Sequence, residues 1–258
     1  MSAAMSRVLV DISEGVATLT LNDPKRRNAF DLDLCDEVTA AMDSVEADRS
    51  VCALVVTGAP PAFCAGADLS HLGSKGTEAG LLAIYEGFLR VARSPLPTIA
   101  AVNGAAVGAG MNLALACDVR LAGRSARFDT RFLDLGIHSG GGHSWMFRNI
   151  AGPQAAFAAV VFGQTLDGAE AERVGLVWRC VPDDELAATA QAMAARATVA
   201  PRELVEKQTA SIRTMATITD SDAAVQVELG PQAWSAEQPH FRAKLEALKA
   251  KISSSGGN

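Results

Sequence analysis

Residues 97–122, PTIAAVNGAAVGAGMNLALACDVRLA, hold the pattern that decides the fold. The part that ends at residue 104 is almost wholly apolar and predicts a strand that is buried on both faces. A turn of glycines and alanines follows and opens a helix, and residues 118–123 predict the next strand. Strands and helices that alternate in this way are typical of parallel strands joined by right-handed crossovers.

The same alternation continues outward from this stretch, as far as about residue 182. Further strands are predicted over residues 7–12, 16–21 and 51–58, and helices over residues 32–46 and 80–93. Beyond residue 184 the apolar spacing is almost wholly helical. The candidate helices there are residues 184–198, 201–216, 220–235 and 238–251, with breaks at Pro201 and at Gly230-Pro231. We therefore predict an α/β core over residues 1–200 and a helical C-terminal region over residues 201–258.

Composition and charge exclude several classes of protein. Of the 258 residues, 49% are hydrophobic and 20% are charged, which is an ordinary globular composition. The net charge is −6 and no lysine- or arginine-rich face is evident, so we expect no nucleic-acid partner. No apolar run approaches the ~20 residues that cross a bilayer, and the N-terminus lacks the long apolar segment of a signal peptide. We therefore expect a cytoplasmic protein with no membrane partner.

Motifs for metals and nucleotide cofactors are missing from the sequence. The P-loop, GxGxxG and GxSxG patterns do not occur, which disfavours a phosphate-binding loop and a serine nucleophile elbow. The five cysteines are widely spaced and form no CxxC pair, which disfavours a zinc site or a disulfide framework. His138 and His143 are five residues apart, a spacing that fits no familiar metal motif.

Two turns of small residues are the strongest candidates for a binding site. Residues 62–69, AFCAGADL, follow the buried strand at 51–58, and residues 103–110, NGAAVGAG, follow the strand at 97–104. Small residues let a ligand approach the backbone closely, and a helix N-terminus presents free N–H groups. If the two turns meet, two N–H groups can hold one anionic oxygen as an oxyanion hole. The alternative is that both segments are merely tight turns.

These segments resemble the signatures of the crotonase (enoyl-CoA hydratase/isomerase) superfamily. FCAGADL at residues 63–69 resembles the first oxyanion-hole motif of that family, and residues 97–122 resemble its long central motif. NDPKRRNAF at residues 22–30 is similar to the family's CoA-contacting segment, and residues 167–182 to the segment that follows the active site. Together they cover most of residues 7–182 in the family's order.

The resemblance implies a fold, a substrate class and an assembly. The fold is a crotonase-like spiral of ββα units with a helical C-terminal region that mediates trimers, often paired into hexamers. The substrate is an acyl-CoA thioester, as in fatty acid metabolism. CoA enters as part of that substrate, and no metal or other cofactor is implied.

The resemblance also implies the residues of the site. The thioester oxygen would accept hydrogen bonds from the backbone N–H groups of Ala65 and Ala109. Lys25, Arg26 and Arg27 would lie near the CoA phosphates, although a solvated basic turn is the alternative. The full set implied to contact substrate or CoA is Lys25, Arg26, Arg27, Ala29, Ala65, Gly66, Ala67, Asp68, Leu69, Ala109, Gly110 and Gly140.

Two positions depart from the family's pattern. Hydratases of the family use two glutamates, and the corresponding positions here are Asn112 and Phe132. Neither side chain exchanges a proton near neutral pH, so we expect ordinary hydration to be weak or absent. Asn112 can still hydrogen-bond a water or a substrate group.

Other side chains are candidates for the missing base. His138 is the first candidate, because an imidazole titrates at a useful pH and Gly140 beside it is implied to meet the acyl chain. His143 and Asp134 come next, and Cys64 is the weakest candidate, as a nucleophile. Two interpretations stay open: an acyl-CoA hydratase, isomerase or hydrolase with an altered acid/base set, or a non-catalytic acyl-CoA-binding protein.

Overall fold

The structure is a computed structural model, and it describes residues 6–68 and 78–255. The strands in those ranges are β1 (Val8–Ser13), β2 (Val16–Leu21), β3 (Ala53–Gly58), β4 (Ala62–Cys64), β5 (Thr98–Val102), β6 (Ala105–Val107), β7 (Val119–Gly123), β8 (Arg127–Asp129), β9 (Leu166–Asp167) and β10 (Arg179–Val181). The helices are α1 (Leu32–Ala47), α2 (Glu78–Ala92), α3 (Ala109–Ala116), α4 (His143–Ala156), α5 (Gly168–Arg173), α6 (Leu186–Ala195), α7 (Arg202–Met215), α8 (Ser221–Glu237) and α9 (Pro239–Ser255).

The strands form two sheets. The larger has the order β1-β2-β3-β5-β7-β10, in which only the β1–β2 hairpin is antiparallel. The smaller has the order β4-β6-β8-β9. Along the chain β3, β5 and β7 lie in the larger sheet, and each is followed at once by a strand of the smaller one and then by a helix. This repetition is the predicted spiral of ββα units.

The larger sheet is covered on both faces, as the apolar runs predict. Val55 of β3 packs with Leu186 and Ala190 of α6 on one face. Its neighbours Leu54 and Val56 belong to the main core on the other face, because successive side chains of a strand point in opposite directions. The largest fully buried side chains of the main core are Phe30, Phe63, Phe88, Phe128 and Phe147.

Two details of the sequence prediction differ from the structure. Gly230-Pro231 does not break the C-terminal region, because both residues lie inside α8. None of the residues of α8 is buried, so water can satisfy the carbonyl that Pro231 leaves without its helical donor. Strands β4 and β6 of the smaller sheet lie in segments that the sequence predicts as turns, because three residues are too few to show a period.

In the described part of the chain no helix is both long and apolar enough to cross a membrane.

Candidate active site

The two small-residue turns lie directly against each other. Strands β4 and β6 pair in parallel, so the turns that follow them, at residues 65–68 and at Gly108, leave the sheet at the same edge. Gly66 has a φ of +102°, and a Cβ there would lie 2.8 Å from the carbonyl oxygen of Val107 and 3.8 Å from the backbone nitrogen of Ala109. A Cβ on Gly110 would overlap the carbonyl oxygen of Cys64. Glycine is therefore required on both sides of this contact.

The backbone hydrogen bonds of the first turn correct one predicted donor. The N–H of Ala65 donates to the carbonyl oxygen of Arg27 at 2.9 Å, so it is not available to a ligand. Phe30 pairs with both neighbours of Ala67 in an isolated parallel bridge. The N–H of Ala67, between those neighbours, therefore points away from Phe30. It has no acceptor among residues 6–68 and 78–255.

The second turn has the predicted donor. Ala109 is the first residue of α3, and its N–H likewise has no acceptor in the described ranges. Gly108 precedes it with a φ of +50° and donates to Asp129 at 2.9 Å, which fixes the helix start. The pair of unengaged N–H groups is therefore Ala67 and Ala109. The sequence carries no signal for this choice, because it depends on which residue bridges Phe30.

Asn112, one turn into α3, forms a buried pair with His143, the first residue of α4. Each is 1% exposed, and the Oδ1 atom of Asn112 lies 2.6 Å from Nδ1 of His143. The Nδ2 atom of Asn112 donates to the carbonyl oxygen of Gly140 at 3.0 Å. An amide turned the other way would set its oxygen against that carbonyl, so the orientation of Asn112 is determined. Its oxygen can only accept, and the hydrogen of the neutral His143 ring therefore lies on Nδ1.

The remaining nitrogen of His143 is a free acceptor. Its Nε2 atom is buried and has no hydrogen-bond partner in the described ranges. Burial lowers the pKa of His143 to about 4, so the ring is neutral at physiological pH. The ring is also the first residue of α4, where the partial positive charge of the helix N-terminus further disfavours an imidazolium.

Aromatic rings line this cluster. Phe132 meets His143 edge to face with 5.0 Å between ring centroids, and Phe147 lies on it at 6.0 Å. The Phe132 ring also lies 3.8 Å from the point where a Cβ on Gly108 would stand. Phe132 thus connects the imidazole to the turn that carries the free N–H of Ala109.

The loop before α4 needs its glycines for the same packing. A Cβ on Gly140 would overlap the hydroxyl of Tyr85, and one on Gly141 would overlap Phe88 of α2. The Gly141 Cβ would also lie 3.0 Å from Nδ2 of Asn112. The loop therefore packs closely on α2 and α3, which holds the carbonyl oxygen of Gly140 against Asn112.

The other predicted bases do not join this cluster. His138 is exposed, and its Nδ1 atom faces the carbonyl oxygen of Ser139 at 2.6 Å. Asp134 is exposed in a short 3-10 turn. Cys64 is fully buried, and burial raises the pKa of its thiol to about 12, which keeps it from acting as a thiolate. Sequence reasoning identified the two histidines but could not tell which one is buried.

The basic segment differs partly from expectation. The Arg26 guanidinium is committed to three carboxylates, those of Asp23, Asp31 and Asp68, and so braces the first turn instead of facing solvent alone. Lys25 and Arg27 are exposed and have no ion pair among the described residues.

The remaining predicted contacts are near this segment and the turns. Ala29 is half-buried next to Asn28, whose buried side chain donates to the carbonyl oxygens of Ala62 and Phe63. Leu69 lies outside the described residues. Among the residues that the structure describes, no group of three or more histidine, cysteine or acidic side chains is arranged to hold a metal ion.

Comparisons with known proteins agree on one family. A family model described as enoyl-CoA hydratase/isomerase matches residues 11–251. A probable enoyl-CoA hydratase of Mycobacterium tuberculosis is 48% identical over 250 residues, which cover 94% of this chain and 97% of the relative. The 1,2-epoxyphenylacetyl-CoA isomerase of Escherichia coli is 37% identical over 197 residues, which cover 74% of this chain and 75% of the relative.

Solved structures show the same fold. A probable enoyl-CoA hydratase/isomerase from Mycobacterium abscessus superposes with a TM-score of 0.87 at 32% identity, over 95% of this chain and 97% of that one. An enoyl-CoA hydratase from Bacillus anthracis gives a TM-score of 0.89 at 26% identity with the same coverage. The predicted spiral of ββα units is confirmed.

Proposed function

The chain belongs to the enoyl-CoA hydratase/isomerase family, and from this membership we propose that its site binds an acyl-CoA thioester with the carbonyl oxygen between the N–H groups of Ala67 and Ala109. The observation that carries the proposal is the pair of unengaged N–H groups on two turns in contact. Neither group has an acceptor among the described residues, so hydrogen bonds from them to a ligand break no bond of the fold.

Such a pair stabilises negative charge on the thioester oxygen. One donor is at the start of α3, where the helix N-terminus adds partial positive charge. Because the donors are fixed before substrate arrives, no reorganisation is needed when an enolate forms, and the stabilisation amounts to several kcal/mol. The chemistry proposed here is therefore proton transfer next to a polarised thioester.

Ordinary hydration of an enoyl-CoA is not the activity that this site supports. Phe132 cannot transfer a proton, and both polar ends of Asn112 already have partners in Gly140 and His143. No carboxylate stands at either position to hold and activate a water. A second candidate function, binding without turnover, is favoured by the same two replacements.

The CoA moiety needs cationic partners for its phosphates. Lys25 and Arg27 are exposed in the segment that leads into the first turn and, unlike Arg26, have no ion pair among the described residues, so we assign this role to them. Asp68 is paired with Arg26, and its role is to hold the turn.

The proposal includes an oligomer of three copies or of two such trimers. The C-terminal helix α9 carries Phe241, Leu245, Leu248 and Ile252 at helical spacing on one face, and all four are exposed in the single chain. An exposed apolar stripe of this kind is typical of a subunit interface.

Calorimetric titration with acetyl-, crotonyl- and longer acyl-CoA esters, and with free CoA, tests the proposed site. We expect the thioesters to bind. Ala109→Pro removes one donor at a first helical position, where proline is tolerated, and should weaken the thioesters more than free CoA. Ser221→Pro, at the first position of the exposed helix α8, is the matched control and should bind like the wild type. Failure of every thioester to bind the wild type at millimolar concentration contradicts the proposal.

A further inference from the structure

The Nε2 atom of His143 is a buried acceptor that the fold leaves without a partner in the described part of the chain. Burying such an atom costs free energy unless a ligand or a water donates to it. The ring is held in this orientation, because Nδ1 is bonded to Asn112 and the rings of Phe132 and Phe147 pack edge to face with it. The structure thus holds a neutral imidazole whose buried Nε2 lone pair has no donor among the described residues.

The cluster is joined to the proposed donor turn by two routes. Asn112 lies three residues after Ala109 on α3, so the two share a face of that helix one turn apart. Phe132 contacts both His143 and the position of Gly108. Asn112 and Phe132 therefore place the imidazole of His143 beside the turn that carries the N–H of Ala109.

Resting on the proposed thioester site, we propose that His143 is the catalytic residue that removes and returns the substrate proton, with Asn112 as its positioning residue. Of the two activities in the family's description, such a base serves the isomerase one, whose substrate is an acyl-CoA with a double bond between its β- and γ-carbons. The reaction is its isomerisation to the α,β-unsaturated thioester.

The step balances without any co-reactant. Nε2 takes a proton from the α-carbon, and the electron pair of that C–H bond forms a dienolate whose oxygen is held by Ala67 and Ala109. The imidazolium then returns the same proton to the γ-carbon, and the double bond settles between the α- and β-carbons. Substrate and product have the same formula, so neither water, oxidant nor reductant takes part.

A single proton-transfer group is sufficient for this reaction, and this is what the cluster offers. The ring contacts of His143 are with Asn112, Phe132 and Phe147, none of which ionises. Burial lowers the pKa of His143 and no charged side chain of the described residues contributes, so the ring is neutral and its Nε2 lone pair carries no proton. The apolar Phe132 beside it disfavours a water that would add to the double bond.

Isomerisation of 3-enoyl-CoA esters of short, medium and long chain tests the assignment, followed by the ultraviolet absorbance of the conjugated product. We expect turnover by the wild type and a loss of about 100-fold or more in kcat for His143→Gln, the usual contribution of a general base. Thioester affinity, measured by calorimetry, should stay within a few-fold. His138→Gln is the matched control, since that ring is exposed five residues away, and it should turn over normally.

Three results would overturn the assignment: retained turnover in His143→Gln, lost turnover in His138→Gln, or a wild type that binds thioesters and isomerises none of them. In the last case the proposed binding site stands and only the role of His143 falls, whereas absent thioester binding removes both.

A second variant keeps the proposal testable if His143→Gln does not fold. Asn112→Asp supplies a carboxylate to the Nδ1–H of His143, which raises the pKa of the ring. The acidic limb of the kcat profile should move to higher pH, whereas a merely structural Asn112 would leave the limb in place. An unshifted limb overturns the positioning role.

Discussion

His138 and His143 show, at the scale of single residues, how burial determines the chemistry of a side chain. The two histidines are five residues apart, yet His138 is exposed and His143 is buried, with 1% of its surface accessible. Burial lowers the pKa of His143 to about 4, so its ring stays neutral where an exposed imidazole is half protonated. A neutral ring with a fixed Nδ1–H is the form that can accept a proton at Nε2.

The lowered pKa of His143 predicts a pH-dependent loss of stability. Its folded-state pKa of about 4 lies below the ordinary 6.5, so the unfolded chain binds more protons between these values. Stability is therefore fully present above pH 6.5 and is lost as the pH falls toward 4. The loss between pH 7 and pH 5 is about 2 kcal/mol.

Melting temperatures of the wild type and His143→Gln at both pH values check this expectation. The wild type should lose more than the variant on going to pH 5. Asp31 does not confuse the comparison: burial raises its pKa, but hydrogen bonds from Arg7, Leu34 and Arg26 outweigh burial and lower it to about 2, well below the pH range tested. Equal losses in the two proteins contradict a neutral buried ring.

At the scale of the elements, the site depends on how closely two turns approach. Gly66 combines a φ of +102° with a Cβ position 2.8 Å from the carbonyl oxygen of Val107. Gly66→Ala should therefore strain the backbone and also push the first turn away from α3. We expect a lower melting temperature and weaker thioester binding, measured by calorimetry.

Gly175→Ala separates these two effects. Gly175 has a φ of +77°, but nothing lies within 4 Å of its Cβ position, so the substitution adds backbone strain of about 1 kcal/mol and no collision. The control should lose some stability and keep its thioester affinity. If Gly66→Ala binds thioesters as well as Gly175→Ala does, the contact between the turns is not what holds the donors.

At the scale of the whole molecule, α9 predicts assembly. Its four exposed apolar residues, Phe241 to Ile252, lie along one face. Light scattering at micromolar concentration should give a trimer or hexamer. Leu248→Glu, on the stripe, should lower the mass, and Ala243→Glu, on the opposite face of α9, should not. A monomeric wild type contradicts the expectation.

The whole site predicts poor hydration of crotonyl-CoA. General acid–base groups contribute about 10²–10⁴-fold each, and Asn112 and Phe132 supply neither an acid nor a base. Steady-state hydration should therefore fall far below that of a relative with both glutamates, while thioester binding persists. Rapid hydration by the wild type would mean that another group activates water.

Much of the fold followed from the sequence because its signals are local. The apolar run at residues 51–58 and the pattern at residues 97–122 determine the buried strands and α3, and the family resemblance assembles them. What could not be predicted depends on contacts between distant residues. The N–H of Ala67 is unengaged because Phe30 bonds to the residues on either side of it, whereas the N–H of Ala65 donates to Arg27. His143 rather than His138 is buried because Asn112 and the aromatic rings enclose it.

The most direct test of the proposed oxyanion hole uses a cinnamoyl-CoA with an electron-donating group on its ring. Its absorbance is measured when it is bound to the wild type and to Ala109→Pro. Two N–H groups on the thioester oxygen draw electron density through the conjugated chain, so the absorbance should shift to longer wavelength on binding. We expect a clear red shift with the wild type and with Ser221→Pro, and a much smaller one with Ala109→Pro. A bound ligand whose spectrum stays that of the free ester in the wild type would contradict the proposed oxyanion hole.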